Sequence, residues 1–168
     1  KLVDSLGRKW QCTTIQVDFN LPEKFDVTYV DKDGKEKRVV MIHRALLGSI
    51  ERFFGILVEH YAGELPLWVA PVQVRVIPVS DKYLGYASAV YEKFAAAGVR
   101  AELDSGPESL SYKIRRAEVD RVPYIVVVGK REEETGMVSV RRRRKGSLGA
   151  MKVEEFVKML LERGRMPV

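Results

Sequence analysis

Two closely spaced prolines divide this chain into stretches with different hydrophobic patterns. Pro66 and Pro71 lie in the segment 64–71, and proline interrupts helices and strands because its ring fixes φ and it lacks an amide hydrogen. Before this segment the pattern predicts strands followed by one helix, and after it strands and helices alternate. We therefore expect two domains, residues 1–66 and residues 67–168.

The first domain is predicted to be a small sheet that leads into a helix. Residues 10–19 alternate in polarity and are rich in β-branched and aromatic side chains, which predicts a strand. Residues 27–30 and 38–42 predict two more strands. A helix is expected from Ser49, its N-cap, to Gly63. Its apolar stripe consists of Ile50, Phe53, Phe54, Leu57, Val58 and Tyr61.

The second domain is predicted to be an α/β fold. Residues 124–128 are apolar throughout, which is typical of a central strand covered on both faces. Pro107 is expected near the first position of the second helix. The order of elements predicts a mixed sheet. The expected strands are 72–79, 99–103, 124–128 and 137–141, and the expected helices are 81–97, 108–119 and 153–161.

Composition narrows the classes of protein to consider. An apolar content of 46% excludes a disordered chain, and no apolar run is long enough to span a membrane. The single cysteine, Cys12, excludes an internal disulfide, and with no visible signal peptide it predicts a cytoplasmic protein. The net charge of +6 favours an anionic partner, and the basic run 141–145 favours contact with phosphates.

Arg52 is the first candidate for a functional side chain. It lies off the apolar stripe and in the first turn of the predicted helix, where a cation opposes the helix dipole. A bound anion would explain a cation at this position. The alternative is a surface arginine paired with Glu51 or Glu59.

His43 is the second candidate, and its chemistry stays open on residue type alone. Its strand neighbours are apolar, so a core histidine with one satisfied ring nitrogen is the alternative to a metal ligand. A closed zinc site needs three or four ligands, and Cys12 and His60 are the only other soft candidates. Spacing by itself therefore does not predict a zinc site.

The segment Met41-Ile-His-Arg-Ala-Leu-Leu-Gly-Ser-Ile-Glu-Arg52 resembles motif 3 of the class II aminoacyl-tRNA synthetases, and its His43-Arg-Ala resembles the threonyl-tRNA synthetase family. The resemblance implies part of the class II antiparallel sheet with its motif 3 helix. It also implies that Arg52 packs against the adenine of ATP and reaches its phosphates. In this family His43 is a ligand of a catalytic zinc whose other two ligands would lie upstream of Lys1.

The same resemblance implies a pocket for ATP and threonine. Thr14 and Gln16 share the polar face of their strand, whereas strict alternation puts Gln11 on the other face unless the strand begins after it or a bulge intervenes. Zinc would recognise the threonine hydroxyl that isosteric valine lacks. The residues that match pocket positions are Gln11, Thr14, Gln16 and Ser49.

Residues after the prolines resemble the anticodon-binding domain shared by the threonyl, prolyl, histidyl and glycyl enzymes. This domain implies a small α/β fold with a mixed five-stranded sheet. Arg121, Glu132 and Arg141 match its anticodon-reading positions, and their donors and acceptors suit base edges. Pro107 stands where the family has an asparagine, so the base contact made there is in doubt. The strings that carry the resemblance are Ala70-Pro-Val-Gln-Val74, Tyr112-Lys-Ile-Arg115, Arg121-Val-Pro-Tyr124 and Gly129-Lys-Arg-Glu132.

Taken together, the resemblance implies a piece of an enzyme that activates threonine with ATP and transfers it to threonine tRNA, tRNA(Thr). Its substrates would include ATP with Mg²⁺. Its zinc site would be incomplete within this chain. The full-length parent would be a homodimer without a membrane partner. Motifs 1 and 2 are absent, so we expect no ligase activity from this chain alone. The alternatives are a non-catalytic RNA-binding module derived from a synthetase and a prolyl or histidyl relative.

Overall fold

A computed structural model of the chain describes residues 1–166. The chain forms two compact units, the first Lys1–Ala62 and the second beginning at Gly63. Among the helices of the described residues, none combines the length and the apolar composition that crossing a bilayer requires.

The first unit contains three two-stranded antiparallel sheets and two helices. The predicted strand over residues 10–19 is wrong in its continuity, because it is interrupted at residues 11–13. There the chain turns so that the Thr13 hydroxyl donates to the carbonyl oxygen of Leu46 at 2.9 Å. The elements are β1 (Leu2–Val3), β2 (Lys9–Trp10), β3 (Thr14–Asp18), α1 (Asn20–Lys24), β4 (Thr28–Val30), β5 (Glu36–Arg38), β6 (Met41–Ala45) and α2 (Ile50–His60), with β1 paired to β2, β3 to β6 and β4 to β5.

Helix α2 begins where the sequence predicts, but its buried side differs. The Ser49 side chain accepts a hydrogen bond from the backbone N–H of Arg52, which confirms the N-cap. The buried residue of the helix is Ile56, whereas Ile50 is 69% exposed and Phe54 is 53% exposed. Within residues 1–166, no element covers these two side chains of the apolar stripe.

The second unit is built around a five-stranded mixed sheet, as predicted. In the order β11-β10-β9-β7-β8, strand β7 runs parallel to both neighbours, whereas β10 is antiparallel to β9 and β11. The elements are β7 (Val74–Pro78), a 3₁₀ turn (Asp81–Tyr83), α3 (Leu84–Ala96), β8 (Ala101–Leu103), α4 (Leu110–Val119), β9 (Tyr124–Val128), α5 (Lys130–Thr135), β10 (Met137–Arg142), β11 (Gly146–Lys152) and α6 (Val153–Arg163).

Helices pack on both faces of this sheet. Helices α3 and α6 contribute Phe94 and Phe156 to the larger core, where Tyr124 also lies, and helix α4 contributes Ala117 to a smaller core on the other face. Because side chains alternate between the two faces of a strand, successive residues of β9 lie in different cores, and that strand is therefore apolar throughout.

The start of α4 differs from the prediction. Ser109 is the N-cap, because its side chain accepts from the backbone N–H of Tyr112. Pro107 therefore lies in the preceding loop, outside the helix, and the prediction of its position is wrong.

Candidate active site and nucleic-acid interface

One face of the β3–β6 sheet gathers the polar candidates of the first unit. Gln16 is paired directly with His43 across the two strands, and Thr14 lies two residues before Gln16 on the same face. The Nε2 atom of His43 lies 2.9 Å from Oδ2 of Asp18. The His43 side chain is 42% exposed, so the alternative of a core histidine is wrong.

Gln11 joins this face through its side chain. Strand β3 begins only at Thr14, so strict alternation does not extend back to Gln11. The Gln11 Nε2 atom donates to the Thr14 hydroxyl at 2.9 Å. Of the two explanations that the sequence leaves open for Gln11, a strand that begins after it is correct.

A tight turn places the start of α2 against the same segment. Gly48 has φ +69°, and a Cβ there would lie 3.4 Å from the carbonyl oxygens of both Gln11 and Cys12. Because a side chain rarely adopts this φ and would press on backbone, glycine suits the turn. The next residue, Ser49, caps the helix and donates from its hydroxyl to Glu51 at 2.7 Å. This hydrogen bond lowers the pKa of Glu51.

The guanidinium of Arg52 lies over the ring of Trp10, 5.5 Å from the ring centroid. At this distance the arginine gains a cation–π attraction and its plane is held near the indole. Arg52 has no ion pair among the described residues, because Glu51 accepts from Ser49 and Glu59 pairs with Arg8 at 3.2 Å. The alternative of a surface arginine paired with a neighbouring glutamate is therefore wrong.

A buried carboxylate fixes Trp10 in turn. The Asp4 side chain has no exposed surface and accepts from Trp10 Nε1 at 2.7 Å and from Arg8 Nε at 2.5 Å. Burial would raise the pKa of Asp4, but the hydrogen bonds from Trp10 and Arg8 outweigh it and lower the pKa from 3.8 to about 2.

This pKa predicts how the first unit responds to acid. Because the folded-state pKa of Asp4 lies below 3.8, the carboxylate stabilises the unit fully above about pH 4, and this stability is lost as the pH falls toward about 2. We expect Trp10 fluorescence, followed in a Trp68→Phe chain, to change across this range. Asp4→Asn should remove the transition, whereas Asp26→Asn, which alters an 88% exposed carboxylate, should leave it in place. An unchanged transition in Asp4→Asn would contradict this assignment.

In the second unit, one predicted anticodon reader, Arg141, lies on β10, and a second, Glu132, contacts that strand. Glu132, in α5, accepts from the Gly129 backbone N–H at 2.9 Å and from the Ser139 hydroxyl at 2.7 Å. Burial would raise the pKa of Glu132, but these hydrogen bonds lower it, so the side chain is a carboxylate at neutral pH. Ser139 and Arg141 are two residues apart on β10 and therefore point to the same side of the sheet.

Arg141 carries a donor without an acceptor. Its Nε atom is buried and makes no hydrogen bond with any described residue. Buried polar atoms in folded proteins nearly always have a partner, so this donor remains to be satisfied by an ordered water or a bound group.

Arg121 lies in the turn between α4 and β9. Its φ is +58°, an uncommon value for a residue with a side chain. Its Nη1 atom lies 3.6 Å from Oε1 of Glu64, and its side chain also lies against Gly63. Glu132 thus contacts β10 and Arg141 lies on it, whereas Arg121 belongs to a different turn of the unit.

Sequence reasoning missed three residues that support these sites. Asp4 holds Trp10, Asp18 holds His43, and Ser139 holds Glu132. The signal for Ser139 was present, because alternation along a strand puts it on the same side as the candidate Arg141. The same signal was present for Asp18, because alternation along β3 puts it on the face of Thr14 and Gln16. Asp4 gave no such signal, since its contacts with Trp10 and Arg8 depend on the turn between β1 and β2.

Comparison with known proteins assigns both stretches to families. Residues 73–163 match the anticodon binding domain family, and residues 1–61 match the class II tRNA synthetase core domain of the G, H, P, S and T enzymes.

Relatives similar over nearly the whole chain carry one name. The threonine–tRNA ligase of Thermus thermophilus is 57% identical over 162 residues, which is 96% of this chain and 25% of the relative. The chloroplastic/mitochondrial threonine–tRNA ligase 2 of Arabidopsis thaliana is 57% identical over 94% of this chain and 24% of its own length. The chain thus spans about a quarter of the length of these relatives.

A solved structure has the same fold. The RNA binding domain of threonyl-tRNA synthetase from Cryptosporidium parvum Iowa II superposes with a TM-score of 0.77 at 32% identity, over 96% of this chain and 41% of that one. Because the anticodon binding domain match covers more than half of the 168 residues, the chain belongs to that family, joined here to a class II core segment of the threonine–tRNA ligase type.

Proposed function

We propose that the second unit binds the anticodon loop of threonine tRNA and reads its bases with Arg121, Glu132 and Arg141. The observation that carries this proposal is the buried, unpartnered Nε of Arg141 on the strand that also holds Ser139 against Glu132. It lies in a domain of the anticodon binding family.

The chemistry of these side chains suits unstacked bases. Arginine donates two parallel hydrogen bonds to a guanine edge, and a carboxylate accepts from base amino or imino groups. Each oxygen of Glu132 already accepts one hydrogen bond, but a carboxylate oxygen has a second lone pair for a base. Single-stranded loops expose these base edges, and an anticodon is such a loop.

The test compares two RNA stem-loops that differ only in their anticodon. We expect the chain to bind the threonine anticodon more tightly than a changed one by about 5- to 150-fold, since one good base contact is worth about 1–3 kcal/mol. Arg141→Ala and Glu132→Gln should reduce this preference. Lys158→Ala removes an exposed charge from α6, which packs on the sheet face opposite to Ser139 and Arg141, and should leave the preference intact. Equal affinity of the unmodified chain for both stem-loops would refute base reading.

We further propose that the first unit contributes to a site for ATP and threonine in a threonine–tRNA ligase. Arg52 would place its planar guanidinium between Trp10 and the adenine of ATP, and its charge would stabilise the phosphates during adenylate formation. Thr14 and Gln16 would contact threonine, and Gln11 would orient the Thr14 hydroxyl through their hydrogen bond. Mg²⁺ would arrive with ATP as substrate.

His43 is the zinc donor that we propose in this chain. Its Nε2 is paired with Asp18, so Nδ1 is the ring nitrogen left for a metal. The described residues contain no group of three or more metal-ligating side chains, so a closed site needs ligands from outside them. Zinc would supply recognition of the threonine hydroxyl.

The isolated chain is not expected to ligate threonine to tRNA. The segment 41–52 resembles the third motif of a class II core, and we identify no segment that resembles the other two, so the groups that would surround the reacting phosphate would be incomplete. ATP-dependent threonylation of tRNA by the pure chain would contradict this expectation. Dimer formation is likewise expected only of the longer enzyme.

A further inference from the structure

One carboxylate in the second unit lies among three arginines. Oε1 of Glu64 is 2.6 Å from Nη2 of Arg144 and 3.6 Å from Nη1 of Arg121, and its Oε2 is 3.9 Å from Nε of Arg143. We call Arg121, Arg143 and Arg144 with Glu64 the arginine cradle. The Glu64 side chain is 21% exposed, so the cradle opens to solvent.

The backbone holds the cradle in place. Arg143 donates from its backbone N–H to the carbonyl oxygen of Pro123 at 3.0 Å, and from Nη1 to the carbonyl oxygen of Arg121. Arg144 has φ +60°, an uncommon value for a residue with a side chain, as does Arg121. The turn between β10 and β11 is therefore tied to the turn before β9, and the arginines converge by construction of the fold.

The cradle has more positive charge than Glu64 can balance. A cavity of about 520 Å³ beside it is lined by Arg142, Lys145 and Arg163 as well as Glu64, and a second of about 560 Å³ adds only Glu118 as a further acid. Burial lowers the pKa of Arg143, Glu64 opposes this shift, and the neighbouring arginines reinforce it. Like charges held this close favour a chain of several anionic groups, since the Glu64 carboxylate neutralises only one positive charge.

We propose that the arginine cradle is a contact site for RNA backbone phosphate and that Glu64 occupies it in the free protein as an internal counter-ion. The proposal rests on the proposed RNA-binding function, because the anticodon binding family match supplies the class of anion. A phosphate oxygen would replace the Glu64 carboxylate on Arg144 and Arg143. Phosphate carries no base information, so Arg143 and Arg144 contribute affinity independent of sequence, whereas Arg121 keeps its proposed role at a base.

Glu64→Gln tests the proposal directly. Without the internal carboxylate, both the native and the changed anticodon stem-loop should bind about three- to tenfold more tightly, and the salt dependence should steepen by about 0.7–0.9 per added phosphate contact. Arg144→Gln should weaken binding to both equally. When Arg144→Gln is already present, Glu64→Gln should raise the affinity for RNA by a smaller factor than it does in the unmodified chain, because the two side chains act on one site.

The matched control is Glu92→Gln, an exposed glutamate on α3 that makes the same change in net charge. If Glu64→Gln raises affinity no more than Glu92→Gln does, the proposal is wrong. If circular dichroism shows that Glu64→Gln does not fold, Arg144→Gln decides, and unchanged affinity overturns the proposal. If the unmodified chain shows no preference between the two anticodons while Glu64→Gln still raises the affinity for both, base reading is refuted and the phosphate site is not.

Discussion

Replacing Arg52 by alanine is expected to lower the rate of threonine activation by about 100- to 1,000-fold, the loss seen when one preorganised electrostatic contact to a transition state is removed. The measurement needs a complete class II core. A chimera in which this chain replaces the matching quarter of the Thermus thermophilus ligase provides one, because the two are 57% identical there. Threonine-dependent exchange of pyrophosphate into ATP would report the activation step.

The physical reason lies in how Arg52 is held. Its guanidinium is 5.5 Å from the centroid of Trp10, and Trp10 is fixed by the buried carboxylate of Asp4. A guanidinium that is ordered before ATP binds loses little freedom on binding, so most of its interaction is available to the reacting phosphate.

Two further variants separate charge from geometry. Arg52→Lys keeps the positive charge but loses the planar surface that lies on Trp10, so its activity should fall between those of the chimera and Arg52→Ala. Lys35→Ala removes a cation from an exposed turn of the same unit and should leave exchange unchanged. A loss of less than about threefold in Arg52→Ala would contradict the assigned role.

The sequence predicted which side chains of β3 share one face of the first sheet, because strand periodicity is a local property. Alternation predicted that Thr14 and Gln16 share one face, and His43 was a candidate by resemblance. In the paired strands β3 and β6, all three side chains lie on one side of the sheet. The position of Gln11 required knowledge of where β3 begins, which depends on the Gly48 turn packed against that segment. Helical periodicity likewise found the apolar stripe of α2 but could not show whether anything covers it.

In the second unit, the strength of each local signal decided what could be predicted. Strand β9 was predicted with its observed bounds, since five consecutive apolar residues bury on both faces of a sheet. Helix α5 is six residues long and mostly charged, and strand β11 contains two glycines, so neither has a clear hydrophobic period. The unpartnered Nε of Arg141 depends on packing around β10, which no sequence pattern encodes.

Phe156→Ala is expected to cost about 3–5 kcal/mol of the free energy of unfolding of the second unit, the range found when a buried phenylalanine leaves a cavity. Phe156 is fully buried, and its ring meets Phe94 and Tyr124 edge to face at centroid distances of 5.7 and 5.5 Å. The substitution removes both aromatic contacts as well as the buried area. Since whole domains are stable by only about 5–15 kcal/mol, urea unfolding should show a large fall in midpoint.

Leu161→Ala is the matched control, because Leu161 lies on the same helix but is 45% exposed, and it should cost less than about 1 kcal/mol. Phe156→Leu keeps an apolar side chain but not the edge-to-face pairs, so its loss should lie between the two. Tyr124 also accepts a hydrogen bond from Arg163 at 2.9 Å, and both residues line the cavity beside the arginine cradle. A void next to the Tyr124 ring would therefore loosen this side of that cavity. Equal stability of Phe156→Ala and Leu161→Ala would show that α6 does not close this core.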